Sequence, residues 1–284
     1  MSTVSGDTVS STAEQEAQVL DVDSAPEEMA EAMEFDAGAN KWSTVRTRLK
    51  VALRALSDKR EDCVTVRVKD QNYPKLQVMK VKLSAPEDQT AVLDEVMRQS
   101  LASKLSNSFA KFAPPFVFPA FLPMRVYVLL QRSGVPTVRG EELTELRPSR
   151  VRVSANPRST NEVDVWASNK FAAFQYFSYF LSRKAYLIHS VCMSGKHFTL
   201  PVIHSWDKSM GPHDGGQEGI SDWKDGLCAR LGESLGGLTR RDMFSLDPSQ
   251  FVNMLQERGL FGPMTLGGAD ASQFVAERKG GGGG

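Results

Sequence analysis

The strongest constraint on this chain is how its charge is distributed. The 284 residues are neutral overall, yet ten carboxylates, from Asp7 to Asp36, fall within residues 1–38, where there is no Lys or Arg. The rest of the chain therefore carries the matching excess of cations. The leader is rich in Ser, Thr, Ala and acids, and it offers too little apolar surface to offset the entropy of ordering it. Residues 1–38 are thus expected to form a disordered acidic tail, with EEMAEAMEF as a transient helix anchored by Met29, Met33 and Phe35. Such a tail acts either as a solubilising appendage or as an internal competitor. In the second case it covers a basic face until nucleic acid or a neighbouring subunit displaces it.

Hydrophobic periodicity organises the remainder. From Lys41 to Leu56, Trp42, Val45, Leu49, Ala52 and Leu56 recur at helical spacing with Arg46, Lys50 and Arg54 between them, which predicts a basic amphipathic helix. Cys63 to Asp70 and LQVMKVKL alternate at the period of a strand, which predicts a hairpin with Arg67, Lys69, Lys80 and Lys82 on its outer surface. Ser84 and Glu87 stand in capping-box register ahead of a helix from about Pro86 towards Phe112. PPFVFPAFLP reads as an extended strap. RVYVLL, RVRV and EVDVW read as strands, and NKFAAFQYFSYFLSRKAYLIHSV reads as a buried aromatic helix. HFTLPVI reads as a strand, and a helix is expected to begin near Ser221 or Asp222. The last helix is marked by Asp247 as N-cap, Pro248 at the first helical position, Gln250 as capping partner and Gly259 as terminator.

These elements predict an α+β fold in which antiparallel strands pack on a central aromatic-rich helix with flanking helices. One domain is expected over 39–262, followed by a flexible C-terminal tail over 263–284. A hydrophobic content of 41% suffices for such a core. Cys63, Cys192 and Cys228 are odd in number and not closely spaced, which argues against a disulfide framework and for a reducing compartment. No apolar run is long enough to cross a membrane as a helix and the first thirty residues do not read as an export signal, so the expected location is cytoplasmic without membrane contact.

Enzyme signatures are mostly missing. Ser194-Gly195-Lys196-His197 lacks the upstream Gly and the following Ser or Thr of a phosphate loop, and no nucleophile elbow or dinucleotide fingerprint is present. His189, Cys192, His197, His204 and His213 share one window, but their spacing is poor for zinc. An acid/base pair of His204 with Asp207 or Asp214 would require convergence in a pocket. No cofactor, catalytic residue or metal site is expected, and an enzyme is the less favoured reading.

The recurring cations favour a polyanion partner. Arg46, Lys50, Arg54, Arg67, Lys69, Lys80, Lys82, Arg147, Arg150, Arg152 and Arg158 would form a basic strand face for single-stranded nucleic acid, RNA first. Two alternatives stand beside this: a protein-interaction or regulatory factor acting through the acidic tail, and an enzyme with a dispersed site between His189 and Asp214.

The octet KFAAFQYF, Lys170 to Phe177, resembles a core motif in coat proteins of flexuous filamentous plant viruses of the potexvirus type. The resemblance implies a self-associating, RNA-coating structural protein of a virus. It also implies that Lys170, Phe171, Phe174 and Phe177 form core and carry no chemistry.

Overall fold

The structure, a computed structural model, describes residues 22–55, 63–82, 88–112, 120–134, 136–142, 150–154, 162–194 and 197–260. The chain divides into two compact units, one made of Met1–Val96 with Met124–Leu143, the other of Met97–Pro123 with Thr144–Gly284.

The first unit is built on a closed barrel. Its strands are β1 (Glu27–Asp36), β2 (Lys41–Ala55), β3 (Cys63–Asp70), β4 (Gln77–Lys82), β5 (Met124–Leu129) and β6 (Thr137–Glu142). They run in the order β1-β2-β3-β4-β6-β5, with every neighbouring pair antiparallel. Closure leaves no strand edge unpaired. Ala30, Ala32, Leu49, Val51, Val66, Val68, Met79, Tyr127, Leu129 and Val138 form the apolar interior.

Two expectations fail here. Glu27–Asp36, assigned to the acidic tail and to a transient helix, is β1, paired with β2 on one side and β5 on the other. Its Ala and Glu content favours a helix, and tertiary pairing overrides that preference. Residues 41–56, expected as a helix, provide the strand β2 over Lys41–Ala55. Thr47, Leu49 and Val51 are buried at alternate positions, while Val45, which a helical stripe would bury, is 52% exposed. The run also contains Val51, two residues after Leu49 and outside the helical stripe, so it carried a strand period as well.

One end of the barrel interior is closed by a polar network. Asp70 accepts hydrogen bonds from the Thr47 hydroxyl, from Asn72 N (2.9 Å) and from Tyr127 Oη (2.8 Å), and Arg125 lies 3.4 Å away. Tyr127 Oη is also 2.9 Å from the Gln77 side-chain amide. A Cβ at Gly140 would lie 2.6 Å from both Gln77 Oε1 and the Tyr127 ring, so glycine makes room for this pair. Arg125 stacks 4.0 Å from the centre of the Tyr73 ring and pairs with Glu34. Burial and the bond to Glu142 raise the Tyr73 phenol to about 12.

Helix α1 (Gln89–Phe112) starts in the first unit and continues into the second. The second unit has a three-stranded antiparallel sheet in the order β7 (Arg150–Ser154), β8 (Tyr186–Ser194), β9 (His197–Ser205). It also holds α2 (Glu162–Leu181), α3 (Gly216–Leu231), α4 (Arg240–Met243) and α5 (Pro248–Glu257). EVDVW, expected as a strand, opens α2 instead. The helix then stops before LIHSV, because Arg183 and Lys184 adopt left-handed φ of 54° and 69° and the chain turns into β8. Buried Gln175 joins three elements: its Nε2 donates to His189 O on β8 (2.6 Å) and its Oε1 accepts from Trp223 Nε1 on α3 (3.2 Å). Phe171, Phe174 and Phe177 are buried on α2. Helix α5 has the expected capping box between Asp247 and Gln250 with Pro248 behind it. Helix α3 begins at Gly216, five residues before the expected start. Ser84, Pro86, Glu87 and most of the proline-rich strap lie outside the described residues. No helix among the described residues is long and apolar enough to cross a membrane.

Replacing Tyr127 by Phe deprives the buried Asp70 carboxylate of a donor. It is expected to cost about 1–3 kcal/mol of stability, read as a lower urea midpoint with an unchanged slope.

Candidate functional site

The outer face of β3, β4 and β6 collects buried charge. Val66 and Met79 face the barrel interior, so their neighbours Arg67 and Val78, paired across β3 and β4, face outward; Val78 in turn pairs with Glu141 on β6. Arg67, Val78 and Glu141 thus form one row across three strands. Arg139, two residues from Glu141 on β6, pairs with Glu95 from the start of α1 and lies 3.5 Å from Glu141 through Nε. The guanidinium of Arg139 is therefore balanced by two acids. Arg67 is only 3% exposed, and its Nε has no hydrogen-bond partner among the described residues. Desolvation lowers its pKa.

In the second unit, the loop from Ser205 to Gly215 between β9 and α3 is organised by one carboxylate. Asp214 accepts from Ser205 N (2.9 Å), Met210 N (3.0 Å), Gly216 N (2.8 Å) and the Ser205 hydroxyl. Burial pushes its pKa up, but the hydrogen bonds outweigh this and the net shift is downward. Asp207 Oδ1 lies 3.0 Å from Ser205 Oγ and accepts from Ser209 N (3.2 Å). His204 is buried beside this network. Its Nδ1 accepts from Gly215 N (2.9 Å) at the N-terminus of α3, and its ring stacks on His189 with centroids 4.5 Å apart. A Cβ at Gly219 would come within 2.8 Å of the His204 ring, so the first turn of α3 approaches the imidazole only because that residue is glycine. Leu200, on β9, holds a left-handed φ of 51° and donates its N–H to Gln99 Oε1 (3.1 Å).

Of the cations chosen from the sequence, the four whose side chains are described do not make a common open field. Arg46 stands opposite Glu31 and pairs with it at 3.7 Å. Lys50 donates to Asp23 O (2.7 Å) and Lys69 to Asp23 Oδ1 (2.5 Å), and Arg67 is buried. Arg54 is on β2, Lys80 and Lys82 on β4, and Arg150 and Arg152 on β7, with side chains outside the description; Arg147 and Arg158 lie outside the described residues altogether. His189 and Cys192 are on strand β8, where a helix was expected, and His197 opens β9. No group of three or more His, Cys, Asp or Glu among the described residues is placed to hold a metal. The sequence singled out His204, Asp207 and Asp214, and the fold does bring them together. It missed Ser205, Glu95, Arg139 and Glu141; the paired glycines Gly215 and Gly219 were the available signal for close approach at His204.

Comparison with known proteins identifies the architecture. The sequence model of the alpha-kinase family matches residues 44–227, well over half of the chain. Among solved structures, the apoenzyme alpha-kinase domain of myosin-II heavy chain kinase A is similar with a TM-score of 0.58 and 20% identity, covering 73% of this chain and 97% of that one. The ADP complex of that domain has a TM-score of 0.56 at 21% identity, covering 73% and 97%. Its AMP-PNP complex has a TM-score of 0.56 at 20%, covering 73% and 96%. Among curated proteins, no significant relative was found. These matches overturn the resemblance to viral coat proteins and with it the capsid, self-assembly and nucleic-acid-coating roles. KFAAFQYF belongs to α2 of this fold, where burial selects for aromatic residues as it does in any packed helix.

Burial lowers the pKa of His204 more than Asp214 and Asp222 raise it. The unfolded chain therefore takes up a proton more readily, and stability is expected to fall as pH drops below about 6.5. His204→Gln should remove on the order of 1 kcal/mol of that pH dependence, measured as the difference between unfolding free energies at pH 7.5 and pH 5.5.

Proposed function

As the chain belongs to the alpha-kinase family, we propose that it binds an adenine nucleotide and transfers the terminal phosphoryl group to a hydroxyl of a protein substrate. The family match from β2 to α3 carries this reading. It is supported by solved domains of the same fold that hold ADP, AMP-PNP and ATP. In such a transfer the acceptor oxygen bonds to the γ-phosphorus, the bond to the β-phosphate oxygen breaks, ADP leaves, and the hydroxyl proton passes to a base or to solvent. The protein contributes mainly position and charge, because the transition state is stabilised by groups set around the phosphoryl oxygens.

A second reading, nucleotide binding without transfer, is favoured by how completely the loop's titratable groups are engaged. Asp214 receives four donors, which occupy about all the lone-pair sites of a carboxylate. His204 Nδ1 is committed to Gly215 N. Neither atom is free to accept a substrate proton without dismantling the loop.

Both readings predict that ATP at about 100 times its dissociation constant stabilises the domain by about 2.7 kcal/mol, a rise in melting temperature of roughly 5–10 °C. Incubation with ATP labelled at the γ-phosphate and a mixture of protein substrates then separates them. Labelled protein establishes transfer, and stabilisation without labelling leaves binding alone. No stabilisation by ATP, ADP or adenosine sinks both.

A further inference from the structure

We propose that His204 and Asp214 form a proton-operated latch on the loop from Ser205 to Gly215, in which the neutral imidazole holds the loop against the start of α3 and the protonated one releases it. The latch operates whether or not the chain transfers phosphate. Its basis is the set of donors around one ring nitrogen. His204 Nδ1 accepts from Gly215 N at 2.9 Å, which requires an unprotonated Nδ1 with its lone pair directed at that amide. A proton placed there sets a donor against a donor, and the bond to Gly215 is lost.

The carboxylate beside the ring is already full. Asp214 Oδ1 lies 3.9 Å from Nδ1 and accepts from Ser205 N (2.9 Å) and Gly216 N (2.8 Å), which fill its lone pairs. Oδ2 accepts from Met210 N (3.0 Å) and the Ser205 hydroxyl. An imidazolium that turns to Asp214 therefore displaces one of the amides that shape the loop. One that stays in place faces the Gly215 N–H with its own proton. Either way the closed arrangement is lost. The ring has little room to move elsewhere: His189 stacks on it at 4.5 Å, and a Cβ at Gly219 or Gly215 would come within 2.8 Å of its Cδ2 or 3.3 Å of its Cε1.

The titratable groups facing the ring are Asp214 from the loop, Asp222 from α3 and the His189 imidazole from β8, and the stem of Lys208 packs against Gly216 on the same loop. The two acids favour the charged ring, but burial opposes it and prevails, so the closed loop takes up a proton less readily than an open one. Opening is thus independent of pH above the ordinary histidine value of about 6.5 and grows as pH falls below it. Trp206, 60% exposed, and Lys208, held at a left-handed φ of 59°, lie on the segment that the latch releases.

The test is amide hydrogen exchange of the full chain at pH 7.5 and pH 5.5, corrected for the intrinsic exchange rate and read at Met210, Gly215 and Gly216. The open population at these amides is expected to rise about three- to tenfold between the two, while the β8–β9 ladder keeps its protection. His204→Asn, whose side-chain oxygen can accept near the position of Nδ1 without titrating, should match wild type within about twofold at pH 7.5 and show no rise. His189→Phe keeps a ring for stacking and should keep the rise. A wild-type rise under about threefold overturns the proposal. So does an undiminished rise in His204→Asn, its loss in His189→Phe, or an equal rise throughout the β8–β9 ladder, which would mark global unfolding. Should His204→Asn not fold, the imidazole nitrogen shifts of the wild type decide. His204 titrating in step with the Gly215 amide supports the latch, and a Gly215 amide that stays still, or moves while His204 keeps its protonation state, overturns it.

Discussion

Closure of the barrel by β1 is the constraint on which the first unit depends. Ten consecutive positions of this strand pair with β2, and Ala30 to Met33 pair with β5 on the other side. Removing it would open both neighbours as edges and uncover the inward-facing Leu49 of β2 and Leu129 of β5. The backbone ladder and apolar burial supply the stabilisation. The cross-strand ion pairs Glu31–Arg46 and Glu27–Arg48 sit at 3.7 Å on exposed side chains, where each contributes at most about 1 kcal/mol. Their value is selectivity of register, since like charges directly opposite one another would oppose the pairing.

This pairing also explains the part of the charge asymmetry carried by Glu27–Asp36. The acidic stretch and the basic stretch that follows it are adjacent strands of one sheet, so the opposite signs meet across a hairpin. A carboxylate block with few large apolar residues has the composition of a solvated tail, and small alanines on the inward face give almost no hydrophobic signal. Only the partner strand reveals that Ala30 and Ala32 are interior residues. The hairpin of β3 and β4 was legible because Val64, Val66 and Val68 alternate strictly with polar residues, and α5 was legible because Asp247, Pro248 and Gln250 carry local chemistry that does not depend on the rest of the fold. The boundary of α2 was not, since it rests on left-handed Arg183 and Lys184, residue types with no preference for that conformation.

The functional surfaces follow the same logic. Arg67 was visible from the sequence as one cation among many. Its burial, at 3% exposure, is a property set by residues far apart in the chain. His204 and Asp214 were visible as a titratable pair. The fold, however, uses Asp214 to gather the amides of Ser205, Met210 and Gly216, and uses His204 to cap Gly215. Side-chain type announces chemical capacity, and the hydrogen bonds already made decide how much of that capacity remains for a substrate. On this chain Asp214 is largely spent on holding the backbone.

Amide hydrogen exchange across Glu27–Asp36 tests the closed barrel most directly. The account predicts that the amides from Ala30 to Met33 exchange as slowly as those of the β3–β4 hairpin, because both sides of β1 are paired. Exchange of this segment at the rate of an unstructured peptide, with the hairpin still protected, would contradict it.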